Sequence, residues 1–236
     1  MTEFVLGTLA SITAALIILI LARAIAPFSG SLTALFNLFF SLTRLQRAGL
    51  YNFITSRSDY RLLKGGESIP KYISGAKHSL VYVGFWHAKG IEMENIKDAL
   101  SDLLNKGCRV ELVLLSDDIT DEKVEIVAKY LGISDSSFRT RLTEAWKFVF
   151  EMEKGLSRSS GKLIIKKHSE AIYASCFIID EDFATTKLLV DIRIFGMGRE
   201  NSFAMELVKT DDSNSLYQRF LKSFTNLRNA AEEIAQ

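Results

Sequence analysis

Residues Ser79–Leu115 read SLVYVGFWHAKGIEMENIKDALSDLLNKGCRVELVLL, two apolar runs on either side of an amphipathic segment. Ser79 to Phe85 is short, apolar and rich in valine and aromatics, which is the pattern of a buried strand. In the middle, Met93, Ile96, Ala99, Leu100, Leu103 and Leu104 recur at helical spacing, while Glu94, Lys97, Asp98 and Asp102 fall on the other side. That spacing predicts a helix over Glu92 to Asn105, with Gly107 ending it in a left-handed cap. The second strand, Arg109 to Leu115, follows at once. A strand, a helix and a strand this close together form a crossover unit, which places the two strands parallel and the connection right-handed.

Working outward, the same alternation continues past Gly49. Strands are expected at Lys162 to Lys167, Ile172 to Ile179, Lys187 to Phe195 and Ser202 to Val208. Helices fit Glu67 to Ala76, Asp121 to Tyr130, Ser137 to Glu153 and Ser215 to Ala235. On the last of these, Leu216, Tyr217, Phe220, Phe224, Leu227 and Ile234 form the apolar stripe. A parallel unit followed by four strands in close succession and a closing helix predicts an α/β domain with a mixed sheet over residues 49–236.

The 236 residues carry 29 Lys+Arg against 28 Asp+Glu, so no basic excess exists to neutralise a run of phosphates, which argues against general nucleic-acid binding. At 48% hydrophobic residues with two prolines, the chain is not a disordered one. Cys108 and Cys176 each lie in an apolar run and give neither a disulfide framework nor a metal-binding pair. The three histidines are scattered and no HExxH occurs, so no metal and no cofactor are expected.

Ahead of the domain, Phe4 to Ala22 runs 19 residues without a charge, close to the ~20 needed to span a bilayer. It predicts a single transmembrane helix within residues 1–26; a cleaved signal peptide is the alternative, since Ala24 and Ala26 resemble a cleavage site. Arg23, Arg44 and Arg47 follow the run and none precede it, which places the C-terminal domain in the cytoplasm. Leu32, Leu35, Phe36, Phe39 and Leu42 give residues 27–48 the pattern of a juxtamembrane amphipathic helix.

The order of elements, with YISGAKHSLVYVGFW, LLNKGCRVELVLLS, YASCFIIDEDFA and NSFAMELV as its marks, resembles the phospholipase D superfamily in its single-unit form. Members of that family carry HxKxxxxD on a late strand: the His is the nucleophile on phosphorus, the Lys holds phosphate oxygens and the Asp is structural. Asp180 stands where the family Asp would, and counting back puts Tyr173 at the His position and Ser175 at the Lys position. The resemblance therefore implies a fold without its catalytic pair. A phenol with an ordinary pKa near ~10 is a poor nucleophile at phosphorus, and a serine brings no charge to a developing oxyanion. No catalytic residue is assigned. The family's dimeric active sites imply a homo-oligomer, a dimer or higher.

Other polar residues are weighed on position. His168 opens HSE but has Ser175 seven residues on, so it does not start the motif. His87, Lys89 and Glu94 match HxKxxxxE by count only, after the first strand. Trp86, His87 and Lys89 do lie just beyond the C-terminal end of a parallel strand, where open sheets bind ligands, and are expected at a pocket rim. GMGREN reads as a hairpin turn between two strands; the resemblance implies that its Arg199 and Asn201, and Glu206 beyond it, line the pocket, Arg199 as a partner for an anion. Arg57 serves as an anchor or as a surface charge.

Together these features predict a membrane-anchored sensing or binding protein with a degenerate phospholipase D-like domain and an anionic, nucleotide-like ligand. A membrane effector in bacterial defence suits that design. The alternatives are a phosphodiesterase that substitutes another histidine, and a structural membrane-associated scaffold.

Overall fold

The computed structural model describes residues 43–55, 68–85, 91–156, 160–196 and 202–234. The chain divides into two units, Met1–Gln46 and Arg47–Gln236. In the first, only residues 43–46 are described, and they are helical.

The second unit is built on an eight-stranded mixed sheet. Its strands are β1 (Leu50–Ile54), β2 (Ser79–Gly84), β3 (Arg109–Leu115), β4 (Lys162–His168), β5 (Ala174–Ile179), β6 (Lys187–Ile192), β7 (Phe203–Val208) and β8 (Glu232–Glu233). They lie in the order β1-β7-β6-β5-β2-β3-β4-β8. Strands β2, β3 and β4 are parallel, and every other pairing is antiparallel. The helices are α1 (Ile69–Ile73), α2 (Ile91–Asn105), α3 (Asp121–Leu131), α4 (Asp135–Leu156) and α5 (Leu216–Ala230).

One core cluster joins Tyr72 of α1, Leu100 and Leu103 of α2, Val127 of α3 and Trp146 of α4 to Leu80, Leu112 and Leu189 on one face of the sheet. The other face packs Val81, Val113, Cys176 and Val190 against Tyr217 and Phe224 of α5. Strand residues one apart thus feed two different cores, as the period of two requires. Because β2 and β3 are buried on both faces, they read as continuous apolar runs rather than alternating ones.

Local signals set the ends of the helices. Gly107, at φ 83°, closes α2 by donating to Leu104 O at 3.0 Å, and Cys108 N donates to Leu103 O at 3.0 Å. Thr120 caps α3 at its start and Gly132, at φ 67°, at its end. Helix α1 is shorter than the expected Glu67 to Ala76: Ser68 caps it and Pro70 occupies its first turn. Helix α5 stops at Ala230 rather than Ala235, because Glu232 and Glu233 leave it to oppose Lys167 and Lys166 on β4.

The expected fold class is corrected in one respect. It included an N-terminal transmembrane helix, but no helix among the described residues is long and apolar enough to cross a membrane. The one described helix of sufficient length, α4, is amphipathic and carries Arg139, Arg141, Glu144, Lys147 and Glu151 in its middle turns. The stretch Phe4 to Ala22 and the proposed juxtamembrane segment up to residue 42 lie outside the described residues. What is established is an α/β fold with a mixed eight-stranded sheet.

Candidate functional site

Tyr173 and Asp180 flank strand β5, and its two ends do different work. At its C-terminal end, Asp180 is buried, with a left-handed φ of 52° that a short acidic residue tolerates. Its carboxylate accepts the backbone N–H groups of Lys77 at 3.0 Å, His78 at 2.8 Å and Ser79 at 3.1 Å. These are the residues that lead into β2, so Asp180 fixes the entry of one central strand to the exit of its neighbour. Thr186 completes the turn, its hydroxyl donating to Asp180 O at 2.7 Å. The acid is structural in this chain.

At the other end, Tyr173 lies just before β5 and Ser175 is the second residue of the strand. Tyr173 is half exposed; its ring stacks on Tyr130 of α3 with centroids 4.1 Å apart, and Tyr130 makes an edge contact with Phe195 at 5.5 Å. Ser175 is buried opposite Asp191 of β6 and abuts Gly84 of β2. A β-carbon on Gly84 would sit 2.4 Å from the Ser175 β-carbon, so there is no space for side chains on both strands. Arg193 reaches Asp191 at 3.7 Å, and both are buried. The Tyr130 hydroxyl donates to Arg193 O at 2.8 Å, and the Arg193 N–H to Tyr173 O at 3.0 Å.

Glu206, on β7, is fully buried between Leu189 of β6 and Asn52 of β1. It acts on the buried Tyr72 hydroxyl, whose pKa is pushed well up, by burial first and by the Glu206 charge second. His168, at the end of β4, is buried and its pKa is lowered to about 4, mainly by desolvation; the Gly84 carbonyl and Glu170 oppose the shift. At neutral pH it is an uncharged imidazole whose Nδ1 accepts the Glu170 N–H at 3.3 Å. Among the described residues no group of metal-ligating side chains gathers.

Of the expected site residues, the structure places Ser175 on β5 with Tyr173 just ahead of that strand, and Glu206 on the same sheet, two strands from β5. Trp86, His87, Lys89, Arg199 and Asn201, and also Arg57, lie outside the described residues. Asp191 and Arg193 escaped the sequence reading. Their signal is present in LLVDIRIF, where two charges two apart interrupt an apolar strand and so share one face.

No family model matches the chain, and no curated protein matches it. Phospholipase D family members are among the solved structures with a similar fold. One is Nuc from Salmonella typhimurium, at 12% identity and a TM-score of 0.35, covering 70% of this chain and 86% of that one. Another is the phosphatidylserine synthase of Haemophilus influenzae Rd KW20, at 13% identity and a TM-score of 0.42, covering 77% of this chain and 39% of that one. TrmBL2, an archaeal chromatin protein with a novel mode of DNA binding, matches at 11% identity and a TM-score of 0.43 over 90% of this chain. The chain spans 66% of the length of TrmBL2. At these scores the likeness says nothing of what this chain binds.

Proposed function

We propose that this chain is a phospholipase D-like binding domain that recognises a phosphate-bearing ligand and does not cleave it. The observation that carries the reading is the state of the β5 strand. Three observations support it: Asp180 spends its carboxylate on backbone N–H groups, Tyr173 is stacked on Tyr130, and Ser175 is buried against Gly84. Phosphoryl transfer by a covalent route needs a nucleophile on phosphorus and a cation for the developing charge. Neither stands at those two positions.

The competing reading, a phosphodiesterase that uses another histidine, asks His168 to act as acid or nucleophile. Burial keeps it uncharged at neutral pH, which opposes the acid role, and the Nδ1 lone pair a nucleophile needs is engaged by the Glu170 N–H. The test is turnover of bis(4-nitrophenyl) phosphate and of single-stranded DNA by the full chain, alongside His168→Gln and His87→Ala. The expected result is no cleavage above buffer in any of the three. Turnover that disappears in either variant establishes the enzyme instead. Pairing of two copies, which the family resemblance implies, belongs to the same proposal, and light scattering on the purified chain measures it.

A further inference from the structure

A concavity of about 550 Å³ opens at the end of the sheet away from Tyr173, beside the exit of β5. That volume lies within the range of small-molecule sites, ~300–1,000 Å³. Its lining brings together Lys77, Lys187 and Lys209 with Thr185 and Tyr51. Asp180 is the one carboxylate among the described lining residues, and it is turned to the backbone of Lys77, His78 and Ser79. Lys187 is already engaged by the Tyr72 ring, but the exposed ammonium groups of Lys77 and Lys209 beside one committed acid leave the described lining electropositive, which disfavours a metal ion and favours a phosphate.

The fold delivers each of these side chains. Lys187 is the first residue of β6, between Ile179 of β5 and Val208 of β7, and its ammonium stands 4.1 Å from the centre of the Tyr72 ring. Lys209 follows β7, where its N–H donates to Thr186 O at 3.3 Å. Lys77 sits in the turn that Asp180 holds. Tyr51 arrives by a different device: the pairing of β1 with β7 shifts register between Leu50 and Asn52, so Tyr51 has no residue opposite it in the ladder. A bulge of this kind re-aims the extra side chain, and here it leaves Tyr51 half exposed in the lining.

We infer that this concavity binds a mononucleotide, with phosphate oxygens on Lys77, Lys187 and Lys209 and the planar base against the ring of Tyr51. The inference rests on the recognition reading above and gives that reading a location, remote from the strand end where the family places its chemistry. Ammonium groups suit a phosphate as mobile point charges, and an aromatic ring offers any base a stacking surface.

The test is calorimetric titration of the full chain with AMP and, separately, with inorganic pyrophosphate. Lys77 and Lys209 are exposed, so the double variant Lys77→Gln/Lys209→Gln keeps the fold, which its thermal unfolding verifies. The expected result is binding of both probes by the native chain and a loss of about tenfold or more in the double variant. Tyr51→Leu is expected to weaken AMP and to leave pyrophosphate unchanged. Native-like affinity in the lysine variant, or no binding of either probe to the native chain, overturns the inference. Cleavage of a phosphodiester by the native chain overturns the recognition reading alone, and the lysine variants still decide the location.

Discussion

The Asp180 carboxylate accepts the His78 backbone N–H at 2.8 Å, joining residues 102 apart in sequence and locking the exit of β5 to the entry of β2. The same oxygen takes the Ser79 N–H, and the carboxylate also takes that of Lys77. Asp180→Ala leaves these donors with no acceptor in a half-buried turn. It is expected to lower stability by about 3 kcal/mol. Asp180→Asn retains one acceptor oxygen and tolerates the left-handed backbone, so its loss is expected to be smaller. Urea unfolding of the full chain orders the three proteins.

The buried imidazole of His168 gives stability a pH dependence of known sign. Its folded pKa of about 4 lies below the ordinary 6.5, so below 6.5 the unfolded chain binds a proton that the folded chain refuses. Its contribution is complete above pH 6.5 and is lost as pH falls towards 4. The gap corresponds to about 3 kcal/mol. Urea midpoints taken between pH 7.5 and 4.5 are expected to fall more steeply for the native chain than for His168→Gln, which does not titrate. Parallel curves dispose of the claim.

Glu111 is fully buried on β3 and faces three cations: Arg109 at 2.7 Å, Lys166 at 3.0 Å and Arg228 of α5 at 3.7 Å. Arg228 also reaches Glu181 at 2.5 Å, so this cluster fastens α5 to the sheet. A buried pair contributes little over an apolar replacement, but removing one sign strands the other. Glu111→Gln is therefore expected to cost about 3 kcal/mol and to raise hydrogen exchange along α5 more than along α2. Equal exchange in the two helices argues against the fastening role.

Gly84 and Ser175 share a space that admits one β-carbon. Gly84→Ala is expected to destabilise the chain by about 2 kcal/mol, since neighbouring strands cannot part without breaking their ladder. Ser175→Gly in the same molecule removes the nearest obstructing atom, leaving the Tyr82 hydroxyl at 3.0 Å and the Ser175 α-carbon at 3.1 Å. The double variant is expected to be more stable than Gly84→Ala alone, a coupling that thermal unfolding measures.

The strands and helices legible in the sequence are those whose pattern is local and complete. Strands β2 and β3 and helix α2 fall within one residue of expectation, because continuous apolar runs, a helical stripe and Gly107 carry their own boundaries. Strand β1 was not foreseen: LYNFI is five residues long and exists through its pairing with β7. The end of α5 was placed too late, since the stripe reached Ile234 while the lysines of β4 draw Glu232 and Glu233 into a ladder. At the candidate site, the sequence named Tyr173, Ser175 and Asp180 but missed Asp191, which the antiparallel register of β6 sets opposite Ser175, and Arg193, whose N–H donates to Tyr173 O.

By itself, then, the sequence determined that an α/β domain with a mixed sheet forms. That follows from residue type and spacing, which act over a few residues. Only the tertiary structure decided that Asp180 spends its charge on a turn a hundred residues upstream, and that Lys77, Lys187 and Lys209 meet around one concavity. Those meetings depend on strand order and register, and register is set by which faces must be buried, a property of the whole sheet rather than of any one strand.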